Sequence, residues 1–191
     1  GGTINALCIT SPVVNLSTSL TTSSLGVGVW SGNGVTGTSF DPSVASAGTH
    51  TLTYSTNSLP TTALCPDAST IAVTVNSVIQ PTITAAGPFC DSFTAQQLVA
   101  TPTGGVWSAG SVGTNITGSG LLSPSSSLVG TNKVLYTLTN GPCVNTETVG
   151  VTVVHFVPAT ITNTVGPYCI YDAATNLQMI AQFPGGTWSG P

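Results

Sequence analysis

Gly104-Gly105-Val106-Trp107-Ser108 decides the reading of this chain, because it is one of three copies. The first copy is Gly28-Val29-Trp30-Ser31-Gly32 and the last is Gly185-Gly186-Thr187-Trp188-Ser189-Gly190. Together they hold all three tryptophans of the 191 residues. A block that returns at roughly 80-residue intervals marks a tandem array of similar units. Outward from it, Cys8, Cys90 and Cys169 are each followed eight residues later by leucine, at Leu16, Leu98 and Leu177. Tyr54 and Tyr136 share a spacing of 82 with Gly48-Thr49 and Gly130-Thr131, and Phe40-Asp41-Pro42 falls on Leu122-Ser123-Pro124. Cys65 and Cys143 are each followed eight residues later by valine, Val73 and Val151. The landmarks divide the chain into a unit over 1–80, a second over 81–158 and the start of a third over 159–191.

Within a unit the patterning is that of short strands. Leu52-Thr53-Tyr54 and Val134-Leu135-Tyr136-Thr137-Leu138 alternate, so Leu52, Tyr54, Val134, Tyr136 and Leu138 share a buried face. Ile71–Val75 and Val149–Val153 alternate likewise, and Gln97–Ala100 reads as another strand. With 22 Gly and 13 Pro, no helical period survives between breakers. The spacing predicts an all-β chain of tandem antiparallel β-sandwiches of immunoglobulin-like type. Trp30, Trp107 and Trp188 are expected to be core aromatics, with Tyr54 and Tyr136 packing on them from a later strand. The junctions Val78–Thr84 and His155–Thr162 are short and apolar with one proline each. They are expected to be stiff joints, with units stacked end to end through Val78, Ile79, Phe156 and Val157.

Charged residues make up 3% of the chain, against about a quarter in an ordinary soluble domain. Lys133 faces Asp41, Asp67, Asp91, Glu147 and Asp172, for a net charge of −4. No basic patch exists for nucleic acid or an anionic membrane. No apolar run of about 20 residues exists for a membrane span. A surface of Ser, Thr, Asn and Gly has little self-repulsion, so end-to-end or lateral association meets a low electrostatic barrier. Gly1-Gly2-Thr3 has no signal-peptide character, and a mature segment or excerpt is expected.

The five cysteines lack Cys-x-x-Cys spacing and neighbouring histidines, which favours disulfides in an oxidising compartment over zinc. The repeat register suggests one bond per complete unit, Cys8 to Cys65 and Cys90 to Cys143, with the partner of Cys169 lying beyond Pro191.

No catalytic, cofactor-binding or metal-binding set emerges. Gly32-Asn33-Gly34-Val35-Thr36-Gly37 matches a dinucleotide fingerprint, but Phe40-Asp41-Pro42 follows instead of a helix, so it reads as a turn. His50 and His155 have no nucleophile or carboxylate in a recognisable order. Asp41, Asp67 and Asp91 are scattered and read as turn caps rather than calcium ligands. Lys133 reads as a solvated edge-strand lysine, since its counterpart is Thr51. Recurrent Thr-x-Thr pairs read as solvent-facing strand positions. Asn15-Leu16-Ser17 and Asn115-Ile116-Thr117 are glycosylation sequons, meaningful in a eukaryotic source.

The recurring order of cysteine, leucine, Gly-Gly-x-Trp-Ser-Gly, a Phe-x-Pro turn, an Ala-Gly-Thr-x-x-Leu-x-Tyr strand, a second cysteine and a last x-Val-x-Val strand resembles a known family. It is similar to the immunoglobulin-like and PKD-like tandem repeats of giant secreted surface proteins of Bacteroidota, including adhesins exported by the type IX route. The likeness is clearest at Ser31–Val35, Phe40–Pro42 and Ala47–Tyr54; unit 2 departs from it at Ser108-Ala109-Gly110 and Leu122. The resemblance implies an architectural role at the cell surface and no particular ligand. The expectation is a disulfide-stapled spacer of an extracellular adhesin or filament, whose partners are neighbouring repeats and further copies. The competing expectation is a carbohydrate-binding module contacting glycans, which requires exposed aromatics on one face. An enzyme would need a polar constellation that the sequence lacks.

Overall fold

The computed structural model describes residues 3–20, 28–56, 67–162, 180–182 and 185–189. In unit 1 the strands are β1 (Leu7–Cys8), β2 (Val14–Asn15), β3 (Gly28–Ser31), β4 (Val35–Thr36), β5 (Ser39–Phe40), β6 (Gly48–Thr56) and β7 (Asp67–Asn76). One sheet runs β1-β7-β6-β3, and a second runs β2-β5-β4. Unit 2 contributes β8 (Thr82–Ile83), β9 (Phe89–Cys90), β10 (Gln96–Gln97), β11 (Ala100–Thr101), β12 (Val106–Ala109), β13 (Leu121–Leu122), β14 (Gly130–Asn140) and β15 (Cys143–Val154). Its large sheet, β9-β15-β14-β12, repeats the order of unit 1 element for element. The molecule is nearly all β; the α-helical part of the described residues is one turn, α1 (Pro42–Ala45).

The long hairpins follow from alternation. On β6, Leu52 and Tyr54 face inward, and on β7 Val73 and Val75 meet them, while the intervening threonines face out. On β14, Val134, Tyr136 and Leu138 are buried, matched by Val151 and Val153 of β15. Phe40 and Leu122, at equivalent positions, cover these faces from the second layer and are fully buried. Each unit thus has its own core. Leu16, Trp30, Phe40, Leu52, Tyr54 and Val73 form one. Leu98, Trp107, Leu122, Val134, Tyr136 and Val151 form the other.

Three local expectations change. The sheets are not wholly antiparallel, because Leu7 and Cys8 pair in parallel with Val75 and Asn76, and Phe89 and Cys90 likewise with Val153 and Val154. The segment 97–100 is no single strand. Gln96–Gln97 pairs with β13, buried Leu98 intervenes, and Ala100–Thr101 pairs with β8, so the chain crosses between sheets. Lys133 sits on the solvent face of the central strand β14, opposite Gly150, rather than at a sheet edge.

The third unit begins as the second does. Ile161 bridges Ala181, as Ile83 pairs with Ala100. The Thr162 N–H donates to Ile180 O, as the Thr84 N–H donates to Val99 O. Trp188, expected in a core, is 54% exposed. In units 1 and 2 the covering tyrosine lies on the strand paired with the tryptophan's own, Tyr54 on β6 beside β3 and Tyr136 on β14 beside β12.

Candidate functional site

The Gly-x-Trp block proves to be a packing device. Trp30 stands directly across from Tyr54, and Trp107 from Tyr136, in antiparallel register. Their ring centroids lie 5.2 and 4.9 Å apart with tilted planes, the geometry that aromatic quadrupoles favour. Each tyrosine ring then extends over the glycine two residues before the tryptophan. A Cβ on Gly105 would come within 2.5 Å of Tyr136 Cζ, and one on Gly28 within 2.7 Å of Tyr54 Cζ. Neither glycine is needed for a left-handed backbone; both are needed for space. The Tyr136 hydroxyl fixes the arrangement by donating to Pro102 O at 2.8 Å and accepting from the Gly105 N–H at 2.7 Å. A cleft of about 220 Å³ adjoins Trp107, lined by Gln97, Val99, Thr103, Ser119 and Tyr136 among others. Its lining carries no carboxylate, histidine or cysteine to act as acid, base or nucleophile.

The other sequence candidates occupy structural places. Gly32–Gly34 turns the chain from β3 into β4 and Gly37 turns it on into β5, all three glycines at positive φ, and a strand rather than a helix follows. Asp41 caps α1, its Oδ1 accepting from the Ser43 N–H and Oγ–H, and the Ser43 hydroxyl is the chief reason its carboxyl titrates below the usual range. His50 Nε2 lies 2.9 Å from Ser46 O, just as Asn132 Nδ2 donates to Leu128 O at the equivalent position. His155 Nδ1 lies 2.6 Å from Asp91 Oδ2, while Asp91 Oδ1 accepts from the Phe156 N–H at 2.7 Å. That backbone bond is the main cause holding the Asp91 carboxyl below its usual range; His155 adds to it and burial opposes it. Among the described residues no three His, Cys, Asp or Glu side chains are grouped to hold a metal. No helix there is long and apolar enough to cross a membrane.

The place where chemistry does join residues is the joint between units. Cys8 is bonded to Cys143, Cα to Cα 5.0 Å, and Cys90 is a free, half-buried thiol. The expected Cys8–Cys65 and Cys90–Cys143 bonds are therefore corrected. Cys65 and Cys169 lie outside the described residues. The reason is strand length. Cys90 sits opposite Val154, the last residue of β15, whereas Cys143 opens that strand. Eleven steps of about 3.3 Å keep them some 36 Å apart, far beyond the roughly 7 Å that a disulfide can bridge. Both cysteines that do bond are buried, Cys8 at the end of β7 and Cys143 at the turn between β14 and β15.

Around that bond the β14–β15 turn grips the segment leaving unit 1. Asn140 Nδ2 donates to Ser77 O at 2.9 Å, and Asn145 Nδ2 donates to Ile79 O at 3.2 Å and to Gln80 Oε1 at 2.9 Å. Gln80 Nε2 donates to Glu147 Oε2 at 3.3 Å. Cys143 Sγ lies 3.2 Å from Asn76 O. Gly141, at positive φ, leaves no room for a Cβ against the Asn76 side chain. At the first junction the polar grip accompanies the expected apolar contact, which is confined to Ile79. Ile79 packs on the core of unit 2, but Val78, Phe156 and Val157 are exposed. Sequence reasoning missed Asn140, Gly141, Asn145 and Gln80, which lie at the β14–β15 end of unit 2 and in the segment it grips; Asn140-Gly141-Pro142 was the available signal.

No family model matches the chain, and no curated protein does. Among solved structures it is similar to extracellular domains 3–5 of Drosophila OTK. The identity is 16% and the TM-score 0.35, over 79% of this chain and 59% of that one. It is also similar to an endo-fucoidan hydrolase of glycoside hydrolase family 107. There the identity is 13% and the TM-score 0.28, over 82% of this chain and 28% of that one. The chain thus spans less than two thirds of either protein, and scores this low lend no weight to any reading of its role.

Proposed function

We propose that this chain is a spacer: a run of structural repeats in a large extracellular adhesin or surface filament, of the kind carried by Bacteroidota. The observation that carries the reading is the joint itself. A disulfide and a set of side-chain-to-backbone bonds tie the turn of one unit to the exit of the unit before it. Such a joint resists bending, and structural disulfides belong chiefly to oxidising compartments. The near-absence of charge leaves a wettable surface suited to lateral contact with other copies. Burial of Trp30 and Trp107 weighs against the alternative, a carbohydrate-binding module, although Trp188 is half-exposed. Small-angle scattering on the oxidised chain tests the reading. A rigid elongated particle is expected, and a profile of freely jointed domains would overturn it.

A further inference from the structure

The end of unit 2 that carries Cys90 copies the end of unit 1 that carries Cys8. In both, the two-residue strand pairs in parallel with the last residues of the long hairpin, Cys8 opposite Asn76 and Cys90 opposite Val154. In both, the next N–H closes onto the hairpin strand's final carbonyl at 2.9 Å, Ile9 to Asn76 O and Asp91 to Val154 O. In both, a turn follows in which the residue three beyond the cysteine donates to the cysteine's carbonyl: Ser11 to Cys8 O and Phe93 to Cys90 O. Yet the first cysteine is bonded to the turn of the next unit, and the second is a thiol. The backbone carbonyls that receive the turn at unit 1, those of Asn76, Ser77 and Ile79, recur as those of Val154, His155 and Val157.

We infer that the Cys90 end is a socket for the cysteine-bearing β-turn of a further repeat unit, which closes on it through a disulfide as Cys143 closes on Cys8. The pairing rule runs from unit to unit, the first-strand cysteine of each bonding the hairpin cysteine of the next. Two independent observations identify the occupant. The equivalent surface one unit earlier is filled by such a turn, and the chain beyond Val157 begins another unit at this very end, through the Ile161–Ala181 bridge. The Asp91 carboxylate fixes the exit segment, accepting from Phe156 N–H and facing His155 Nδ1, so that its carbonyls are presented ready to be bonded. Formation of the bond needs an oxidant, here a small-molecule disulfide such as oxidised glutathione. The hairpin thiol is first held as a mixed disulfide. The Cys90 thiolate attacks its sulfur, the protein S–S bond forms, and glutathione leaves as a thiolate that takes up a proton. Both thiols are oxidised, and one oxidised glutathione is reduced to two molecules of its thiol. The inference rests on the spacer reading but is tested separately from stiffness.

The test inserts a second copy of residues 81–158 directly after Pro158, leaving the rest of the chain intact, and refolds the protein in a glutathione redox buffer. Peptide mapping without reduction should find the original Cys90 joined to Cys143 of the inserted copy, with the inserted Cys90 open to alkylation. An original Cys90 that stays open to alkylation, or bonds within its own unit, overturns the inference. Should the insertion fail to fold, the unaltered chain is treated with the peptide of residues 139–147 as its glutathione mixed disulfide. Cys90 should capture it several-fold faster than the same peptide with Asn140→Ala and Asn145→Ala; equal rates overturn the socket. A rigid particle in scattering with Cys90 unreactive in both arms would sink this inference while leaving the spacer reading intact.

Discussion

Units 1 and 2 place equivalent residues at equivalent points of their two large sheets, and differ most at their exits. At the exit of unit 1, Cys8 is bonded to Cys143, and Asn140 and Asn145 of the following turn hold the segment from Ser77 to Gln80. At the exit of unit 2, Cys90 is a thiol, and a carboxylate of the unit itself, Asp91, binds the segment instead. The difference teaches that the local strand geometry prepares a cysteine for bonding without supplying the partner. At unit 1 that partner is the turn of the next unit.

The largest expected effect breaks the asymmetry of the two exits. Replacing both Cys8 and Cys143 by serine removes a bond spanning 135 residues. In the chain-entropy model that is worth up to about 5 kcal/mol when both units unfold together, and less where they unfold singly. Cys90→Ser should stay within about 0.5 kcal/mol of the parent. Denaturant unfolding in oxidising buffer checks both, and equal effects of the two changes would mean that the joint adds no stability.

Next come the cores, where the units should behave alike and the third should not. Trp107→Ala and Trp30→Ala each remove a buried indole paired with a tyrosine and should cost roughly 3–5 kcal/mol. Trp188→Ala removes a half-exposed ring and should fall within about 0.5 kcal/mol of zero. Thermal unfolding of the three variants separates them, and a large loss at Trp188 would contradict its exposure.

A smaller effect probes the glycines that admit the tyrosines. Gly105→Ala forces its Cβ against the Tyr136 ring and Thr137 O, and Gly28→Ala does so against Tyr54 and Ser55 O. Overpacking of this kind costs about 1–3 kcal/mol. Gly186→Ala meets nothing within 4 Å and should be silent by the same unfolding assay. A smaller cost of Gly105→Ala in a Tyr136→Leu background than in the parent would identify the ring as part of the obstacle, beside Thr137 O.

The smallest effect concerns pH and again separates the exits. The folded Asp91 carboxyl titrates below its usual range, chiefly because the Phe156 N–H bonds it, with the His155 contact adding. A carboxyl depressed on folding contributes stability that is present above its unfolded pKa of about 3.9 and is lost as pH falls through the folded value. Stability should therefore drop as the solution is acidified below about pH 4. Asp91→Asn should shrink that drop, while Asp41, the cap of α1 in unit 1, keeps its own share. Unfolding midpoints measured from neutral pH down to the acid limb decide this; an unchanged acid limb in Asp91→Asn would show the contact to be energetically idle.

Much of the molecule was legible in the chain itself. Period-two alternation placed Leu52, Tyr54, Val134, Tyr136 and Leu138 on inner faces, because the pleat sends successive side chains to opposite sides. The spacing of 82 set Phe40 on Leu122 and His50 on Asn132, and the structure gives each pair one role. Repetition also showed that two cysteine types alternate, but it could not say which bonds which. A bond inside each unit and a bond from each unit to the next keep the same register in sequence. Only the tertiary structure separates them, because a twelve-residue strand carries Cys143 to the opposite end of its sheet from Cys90 and up against Cys8 of the neighbouring unit. The same holds for Asn140, Asn145 and Gln80, which meet only once two units are in place. Local pattern determines which face of a strand is apolar; the lengths and ends of the strands decide which residues come to share a joint.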